Sequence, residues 1–328
     1  MILPQREAVA GSKIVELTIP PDCAGLRLDQ ALARMLPEAS RNRVQQWIRD
    51  ERVRVDDKLR RARDAVKGGE RVVIDMPEAA GGDWRAQALP LDVVYEDDSI
   101  LVINKPPGLV VHPGAGNWEG TLLNALLHRA PELRRLARAG IVHRLDKETS
   151  GLMVVARTEA ARLDLIEQLS ARSVEREYLA LVFGTLISGG TVDAPIGRHP
   201  RERTRMAVHA RGREAVSHFR VEKRYRAHTL VRVKLESGRT HQIRVHMAHL
   251  KYPVFGDPAY GGRLRIPPGA SDELKQILLA FKRQALHATK LGLIHPATGK
   301  KLHWSAPVPE DMAALLRALA KDVRAHGG

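Results

Sequence analysis

The chain has 328 residues, 44% of them hydrophobic, enough for two domains of ordinary size and too apolar for wholesale disorder. With 53 Lys and Arg against 38 Asp and Glu, the formal charge is +15, which points to a polyanionic partner, nucleic acid first and an anionic membrane surface second. One cysteine, Cys23, excludes an intrachain disulfide and any cysteine-built zinc or iron site. Only 4% of the residues are aromatic, so the core must be aliphatic. No stretch approaches the ~20 apolar residues of a membrane span, and the first residues lack the apolar run of a signal peptide. A cytoplasmic protein is expected.

Residues 1–15 read as a tail, and a small domain is expected over 16–76. Leu28, Ala31, Leu32, Met35 and Leu36 share one helical face. Pro37 stops that helix and Ser40 caps the next. There Val44, Trp47 and Ile48 form the apolar stripe, while Arg41, Arg43 and Arg49 lie on a face without one acid, which favours phosphate contact. RVRV at 52–55 and RVVI at 71–74 alternate as strands, the second after a Gly68-Gly69 turn. Residues 77–90, rich in Ala, Gly and Pro, read as a linker, and a large domain fills 91–328.

In that domain Ile100–Ile103 is a short buried strand, followed by the rigid turn NKPPG. GAGNWEG at 114–120 has the wrong spacing for a dinucleotide loop and reads as a plain loop. Residues 121–127 read as helix. The stretch 140–158, GIVHRLDKETSGLMVVART, sets a charged cluster (His143, Arg144, Asp146, Lys147, Glu148) before a turn at Thr149-Ser150-Gly151. A continuous apolar run, Leu152 to Ala156, follows and suits a strand buried on both faces. A charged loop on a rigid strand is where reactive groups tend to sit. Thr158 caps a helix on which Leu163, Ile166 and Leu169 share a face. Residues 177–183, EYLALVF, form another buried strand carrying Tyr178.

Residues 198–249 hold fourteen Lys or Arg and four Asp or Glu, a net of +10. In LVRVKL at 230–235, Val231, Val233 and Leu235 face in while Arg232 and Lys234 face out as a phosphate track. Thr240 then caps a helix with Ile243, Met247 and Leu250 on its buried side. Arg239, His241, Gln242 and Arg244 gather near its N-terminus, which favours an anion. His241, His246 and His249 invite a metal reading, but only the last two fall on one face and no carboxylate accompanies them, so no metal site is expected. GDPAYGG at 256–262 is a glycine-rich turn, residues 291–304 a hairpin, and 309–323 an amphipathic helix. HRLD at 143–146 lacks the Asn and companion motifs of a kinase, and no G-x-S-x-G elbow supports serine hydrolysis.

Two resemblances cover most of the chain. RLDQAL, SRNRVQQWI, RVRVDDK and VKGGERVVI resemble an S4 RNA-binding domain, with Asp56-Asp57 where that family usually has an Asn-Gly turn. INKPPGLVVHPGAGN, GIVHRLDKETSGLMVVART, REYLALVFG, LESGRTHQIRVHMAH and GDPAYGG, in that order, resemble the RluA-type pseudouridine synthases over roughly 90–305. RHPRERTRMAVH and RQALHATKL, with the S4-like domain, lie nearest the branch acting on large-subunit rRNA. The resemblance implies an α+β fold with a mixed, largely antiparallel central sheet. It implies isomerisation of uridines in the helix 69 stem-loop of 23S rRNA, with no cofactor, by a monomer working on the large ribosomal subunit or its assembly intermediate.

By the same resemblance Asp146 is the catalytic carboxylate, Arg244 its cation, and Tyr178 a residue against the target base that helps move a proton. Arg144 fills the gap left by the flipped nucleotide. His143 shapes the loop or meets RNA, and Lys105 and Arg239 are weaker candidates, structural or RNA-contacting alike. The step Asp146 performs stays open among attack on C1′, attack on the base and removal of a sugar proton. Other functions to be weighed are a non-catalytic rRNA-binding assembly factor and a synthase acting on tRNA or small-subunit rRNA.

Overall fold

The computed structural model describes residues 12–36, 39, 41–77, 84–114, 117–202 and 204–327. Two compact units divide the chain, one ending at Asp83 and one beginning at Trp84.

The first unit is a four-stranded antiparallel sheet, in the order β1-β4-β2-β3, and two helices: β1 (Ser12–Thr18), α1 (Leu28–Met35), α2 (Arg41–Arg49), β2 (Val53–Val55), β3 (Lys58–Leu59) and β4 (Arg71–Pro77). Residues 12–15, expected in a tail, are strand: β1 pairs with β4 from Ser12–Pro77 to Thr18–Arg71. The predicted helical stripes meet in one core, with Leu28, Leu32, Val44, Trp47 and Ile48 packed against Val53, Val72 and Ile74. Pro37 and Ser40, the expected stop and cap, lie outside the described residues. Asp56 and Asp57 close the β2–β3 hairpin with both φ positive, 48° and 61°, so two aspartates adopt the mirror-image turn that Asn-Gly makes more easily.

The second unit is built on a nine-stranded sheet. Its elements are β5 (Val93–Glu96), β6 (Ile100–Lys105), α3 (Leu122–Arg129), β7 (Ser150–Ala156), α4 (Glu159–Ser170), β8 (Glu175–Phe183), β9 (Gly190–Asp193), β10 (Ile196–Arg198), β11 (Met206–Val208), β12 (Val216–Arg224), β13 (His228–Leu235), α5 (Gln242–His249), α6 (Asp272–Ala280), β14 (Leu286–Ile294), β15 (Lys301–Ser305) and α7 (Glu310–Ala325). The order is β5-β6-β7-β14-β8-β13-β12-β9, with β15 also on β14, and β10 and β11 form a separate pair. Only β7 and β14 run parallel, over Ser150–His287 and Gly151–Ala288. The class is α+β with a mixed, largely antiparallel sheet, as the sequence implied.

β7 is buried along its whole length. Met153 and Val155 join the core under α3, while Leu152 and Val154 join the core under α4. Such burial contributes roughly 1.5–3 kcal/mol per side chain. The turn expected at Thr149-Ser150-Gly151 is shorter, because Ser150 and Gly151 already pair with β14. Gly151 has φ 115°, and a Cβ there would sit 2.3 Å from the Ala288 carbonyl oxygen.

Thr158 caps α4, accepting from the Ala161 N–H at 3.1 Å. The predicted face of that helix is displaced: Ala161 and Leu165 are buried, while Leu163 and Ile166 are exposed. The i, i+4 pair Ala161 and Leu165 packs with Leu152, Val154 and Ala156 of β7. Half of the expected linker belongs to the second unit: the Gln87 N–H donates to Asn124 O, and Asn124 Nδ2 to Arg85 O. Residues 78–83 lie outside the described residues, as do Ala115 and Gly116 of the GAGNWEG loop. No helix among the described residues is long and apolar enough to cross a membrane.

Candidate active site

The site forms where the loop before β7, the start of α5 and the turn after it converge. The loop is anchored at both ends. Gly140, at φ 76°, lies so close to β7 that a Cβ would stand 1.9 Å from the Ala156 carbonyl oxygen, so only glycine fits. Ile141 bridges to Val155, Leu145 is buried in the core, and the Thr149 N–H donates to Asp146 O at 3.0 Å. Asp146 is thereby held with its side chain 16% exposed at the loop's crest.

Arg244 comes from the first turn of α5. Its Nε and Nη2 grip Asp257 at 2.7 and 2.8 Å, and its Nη1 donates to Asp146 Oδ2 at 2.9 Å. Asp257 is buried and also accepts from the Ala259 and Tyr260 N–H groups, at 2.9 and 3.1 Å. Burial works against the guanidinium's charge, but the hydrogen bond and charge of Asp257 and those of Asp146 outweigh it and hold its pKa above the ordinary arginine value. The grip fixes the guanidinium plane, so Asp146 meets a preorganised donor and keeps Oδ1 open.

Tyr178 lies on β8, between Val233 of β13 and Ala288 of β14, and is 7% exposed. Burial raises its pKa, Asp146 adds to the rise and Arg176 opposes it, so the phenol stays protonated near the carboxylate. Tyr260, in the turn after α5, stacks on Arg244 with 5.0 Å from guanidinium carbon to ring centre. Its hydroxyl is 2.8 Å from His241 Nδ1. His241, not Thr240, is the N-cap of α5, and its side chain makes no cap hydrogen bond because its backbone is left-handed at φ 58°. Asp146, Tyr178 and Arg244 are thus brought together. His241 belongs to the group expected at this helix N-terminus, while Asp257 and Tyr260 join the site without having been expected there. Asp257 had a visible signal, an aspartate before proline in a glycine-rich turn; Tyr260 had none.

The RNA-facing candidates divide. Arg144 is exposed, with no hydrogen-bond or ion-pair partner among the described residues. Lys234 is exposed as well. Lys105 does not face solvent: it is 1% exposed, and its Nζ donates to the Pro106, Leu109 and Lys147 carbonyls at 2.7, 3.0 and 2.9 Å. It fastens the NKPPG turn to the Asp146 loop, and burial pulls its pKa down to about 7 against the charges of Glu148 and Asp146.

His143 turns inward too, its Nε2 accepting from the Val154 N–H at 3.1 Å, and burial lowers its pKa to about 3. Arg232 sits on the outward face of β13, but Glu222 and Glu177 hold it at 2.7 and 3.4 Å. Arg239 bonds the Glu214 carbonyl at 2.9 Å. In the first unit Arg41 is 3.0 Å from buried Asp29, which Gln45 and Arg27 also hold, and Arg49 bonds its neighbour Gln46. The Arg43 side chain lies outside the described residues. His246 bonds Ser217 and the Ala194 carbonyl, and no group of three or more His, Cys, Asp or Glu side chains fit to hold a metal occurs among the described residues.

The site joins a carboxylate with one oxygen bound by Arg244 to a buried tyrosine on a mixed sheet. Residues 99–249 match the RNA pseudouridylate synthase family and residues 26–72 the S4 domain. The chain belongs to the RNA pseudouridylate synthase family. It is 56% identical to the ribosomal large subunit pseudouridine synthase D of Pseudomonas aeruginosa, over 94% of this chain and 97% of that one. It is 53% identical to the protein of the same name in Escherichia coli O157:H7, over 94% and 95%. Among solved structures it is similar to human RNA pseudouridylate synthase domain containing 4, with TM-score 0.55 and 26% identity over 70% of this chain and 93% of that one.

Proposed function

We propose that this enzyme isomerises uridines in the helix 69 stem-loop of 23S rRNA, on the large ribosomal subunit or an assembly intermediate in the cytoplasm, with Asp146 as the catalytic carboxylate. The carrying observation is the asymmetry of that carboxylate: Oδ2 is bound to Arg244 at 2.9 Å, while Oδ1 has no hydrogen bond among the described residues. The relatives' names support the large-subunit substrate.

The reaction breaks the N1–C1′ bond, turns the base and joins C5 to C1′; the C5 proton leaves and N1 gains one. Atoms and oxidation state are conserved, so no electron carrier is called for. What the reaction does require is a charged group held ready in a partly dry pocket, and Arg244 keeps Asp146 oriented without blocking it. Tyr178, protonated and buried beside it, forms the wall against the base. A uridine within a stem-loop must leave its stack to reach such a pocket. Arg144, exposed two residues before Asp146, is the side chain placed to fill the gap.

The test is release of tritium from C5 of a labelled large-subunit rRNA transcript. Wild type releases the label; Asp146→Ala releases none while its RNA affinity stays within a few-fold. Absence of release by wild type on any rRNA or tRNA would leave a non-catalytic assembly factor. If helix 69 uridines remain modified in a deletion strain, the substrate is another RNA.

A further inference from the structure

The least expected residue of the site is His241. Its backbone holds φ 58° and ψ 22°, a left-handed conformation uncommon for a side-chain-bearing residue and found where the surroundings enforce it. Tyr260 does part of the enforcing. Its hydroxyl receives the Met206 N–H at 2.9 Å and stands 2.8 Å from His241 Nδ1. Its ring lies between two guanidinium groups, Arg205 at 5.1 Å and Arg244 at 5.0 Å from the ring centre. A phenol has one proton to give, and among the described residues His241 Nδ1 is the acceptor in reach. The network therefore assigns Nδ1 as the accepting nitrogen and Nε2 as the one bearing hydrogen. Nε2 is 3.9 Å from Asp146 Oδ1, the oxygen that Arg244 leaves open.

We propose that His241 is a positioning residue: a neutral imidazole, locked by Tyr260, whose Nε2–H orients the open oxygen of Asp146 toward the bound nucleotide. The inference rests on the reading of Asp146 as the reactive carboxylate. At 3.9 Å the two groups are not yet hydrogen-bonded, and closure around the RNA supplies the missing ångström, as catalytic contacts tighten in the complex. Burial lowers the His241 pKa; Asp146 and Asp257 pull it up, and Arg244 and Arg144 push it down. The ring thus stays uncharged while it donates.

The first measurement is the nitrogen-15 spectrum of histidine-labelled wild-type enzyme without RNA. The expected result is a His241 with an unprotonated Nδ1 and a protonated Nε2, a preference lost in Tyr260→Phe. The reverse tautomer in wild type overturns the proposal, whatever the activity of any variant. The second measurement compares His241→Leu with His241→Gln, which share the same backbone strain but differ in carrying a donor. His241→Leu should lower kcat on the order of 10-fold to 100-fold, the scale expected of a misplaced reacting group, with KM nearly unchanged, and His241→Gln should recover most of the loss. A Gln variant as slow as Leu at equal thermal stability, or an effect confined to KM, overturns it. An Asp146→Ala enzyme that still turns over would defeat the underlying reading and leave the tautomer result standing.

Discussion

Arg244 at the start of α5 and Arg232 on the face of β13 look alike on paper: basic, each held by two carboxylates. They differ in what the second carboxylate is free to do. Arg244 is 6% exposed and spends its fork on buried Asp257, so its remaining donor presents Asp146 to a cleft. Arg232 lies on β13 with Glu222 at 2.7 Å and Glu177 at 3.4 Å, and Lys290 also stands 3.9 Å from Glu177. A buried pair that fixes a carboxylate beside a tyrosine is a tool; carboxylates shared among the cations of a sheet face cancel part of its charge. Counting basic residues does not separate the two, and the second kind weakens the case for β13 as a phosphate track.

The sharpest way to break this contrast is Arg244→Met. It strands Asp257 without its cation, which should cost about 3–5 kcal/mol of stability and abolish tritium release; denaturant melts and the release assay read both. A carboxylate of intermediate exposure refines it. Asp97, 30% exposed, accepts from the Ser99 and Ile100 N–H groups, Tyr95 and His295. Burial opposes its charge, but these bonds prevail and hold its pKa at about 2. A lowered carboxyl pKa gives stability that is present above the unfolded value near 4 and lost as pH falls toward 2. Acid unfolding of Asp97→Asn should therefore lack a component of about 2 kcal/mol between those limits.

Smaller in energy is Arg144→Ala, expected to weaken RNA binding about tenfold and to lower the salt slope by about one phosphate contact, measured by filter binding across salt concentrations. The smallest effect on RNA is expected from Arg232→Ala: a stability loss of about 1 kcal/mol, as for partly exposed pairs, with an unchanged salt slope. A steep loss of affinity there would restore the β13 track.

Much of this was legible in the sequence because it rested on periodicity and caps. The all-buried β7, the Thr158 cap and the stripes of α1 and α2 follow from spacing alone. The carboxylate, its arginine and the tyrosine came from motif resemblance, and the structure brings them together. The failures share a cause: a side chain's partner lies far away in sequence. Lys105 read equally as structural or RNA-contacting, and a carbonyl 42 positions on is among its partners. Leu163 and Ile166 kept a helical spacing that the close packing of Ala161 and Leu165 over β7 overrode. Asp257 left a signal in its glycine-rich turn but no hint of its partner, and Tyr260 left none, because their roles exist only once α5 is docked.

The buried Lys105 ammonium makes the molecule its own reporter. Sealed beneath the loop at 1% exposure, it is out of reach of amine-directed acylating reagents that label the surface lysines freely. Its labelling requires the loss of two contacts around its own turn, to the Pro106 and Leu109 carbonyls, and of one to Lys147 in the Asp146 loop. The rate of acylation at this one position therefore reports how often the turn and the Asp146 loop come apart together, readable by mass spectrometry in the free enzyme and again with RNA in place.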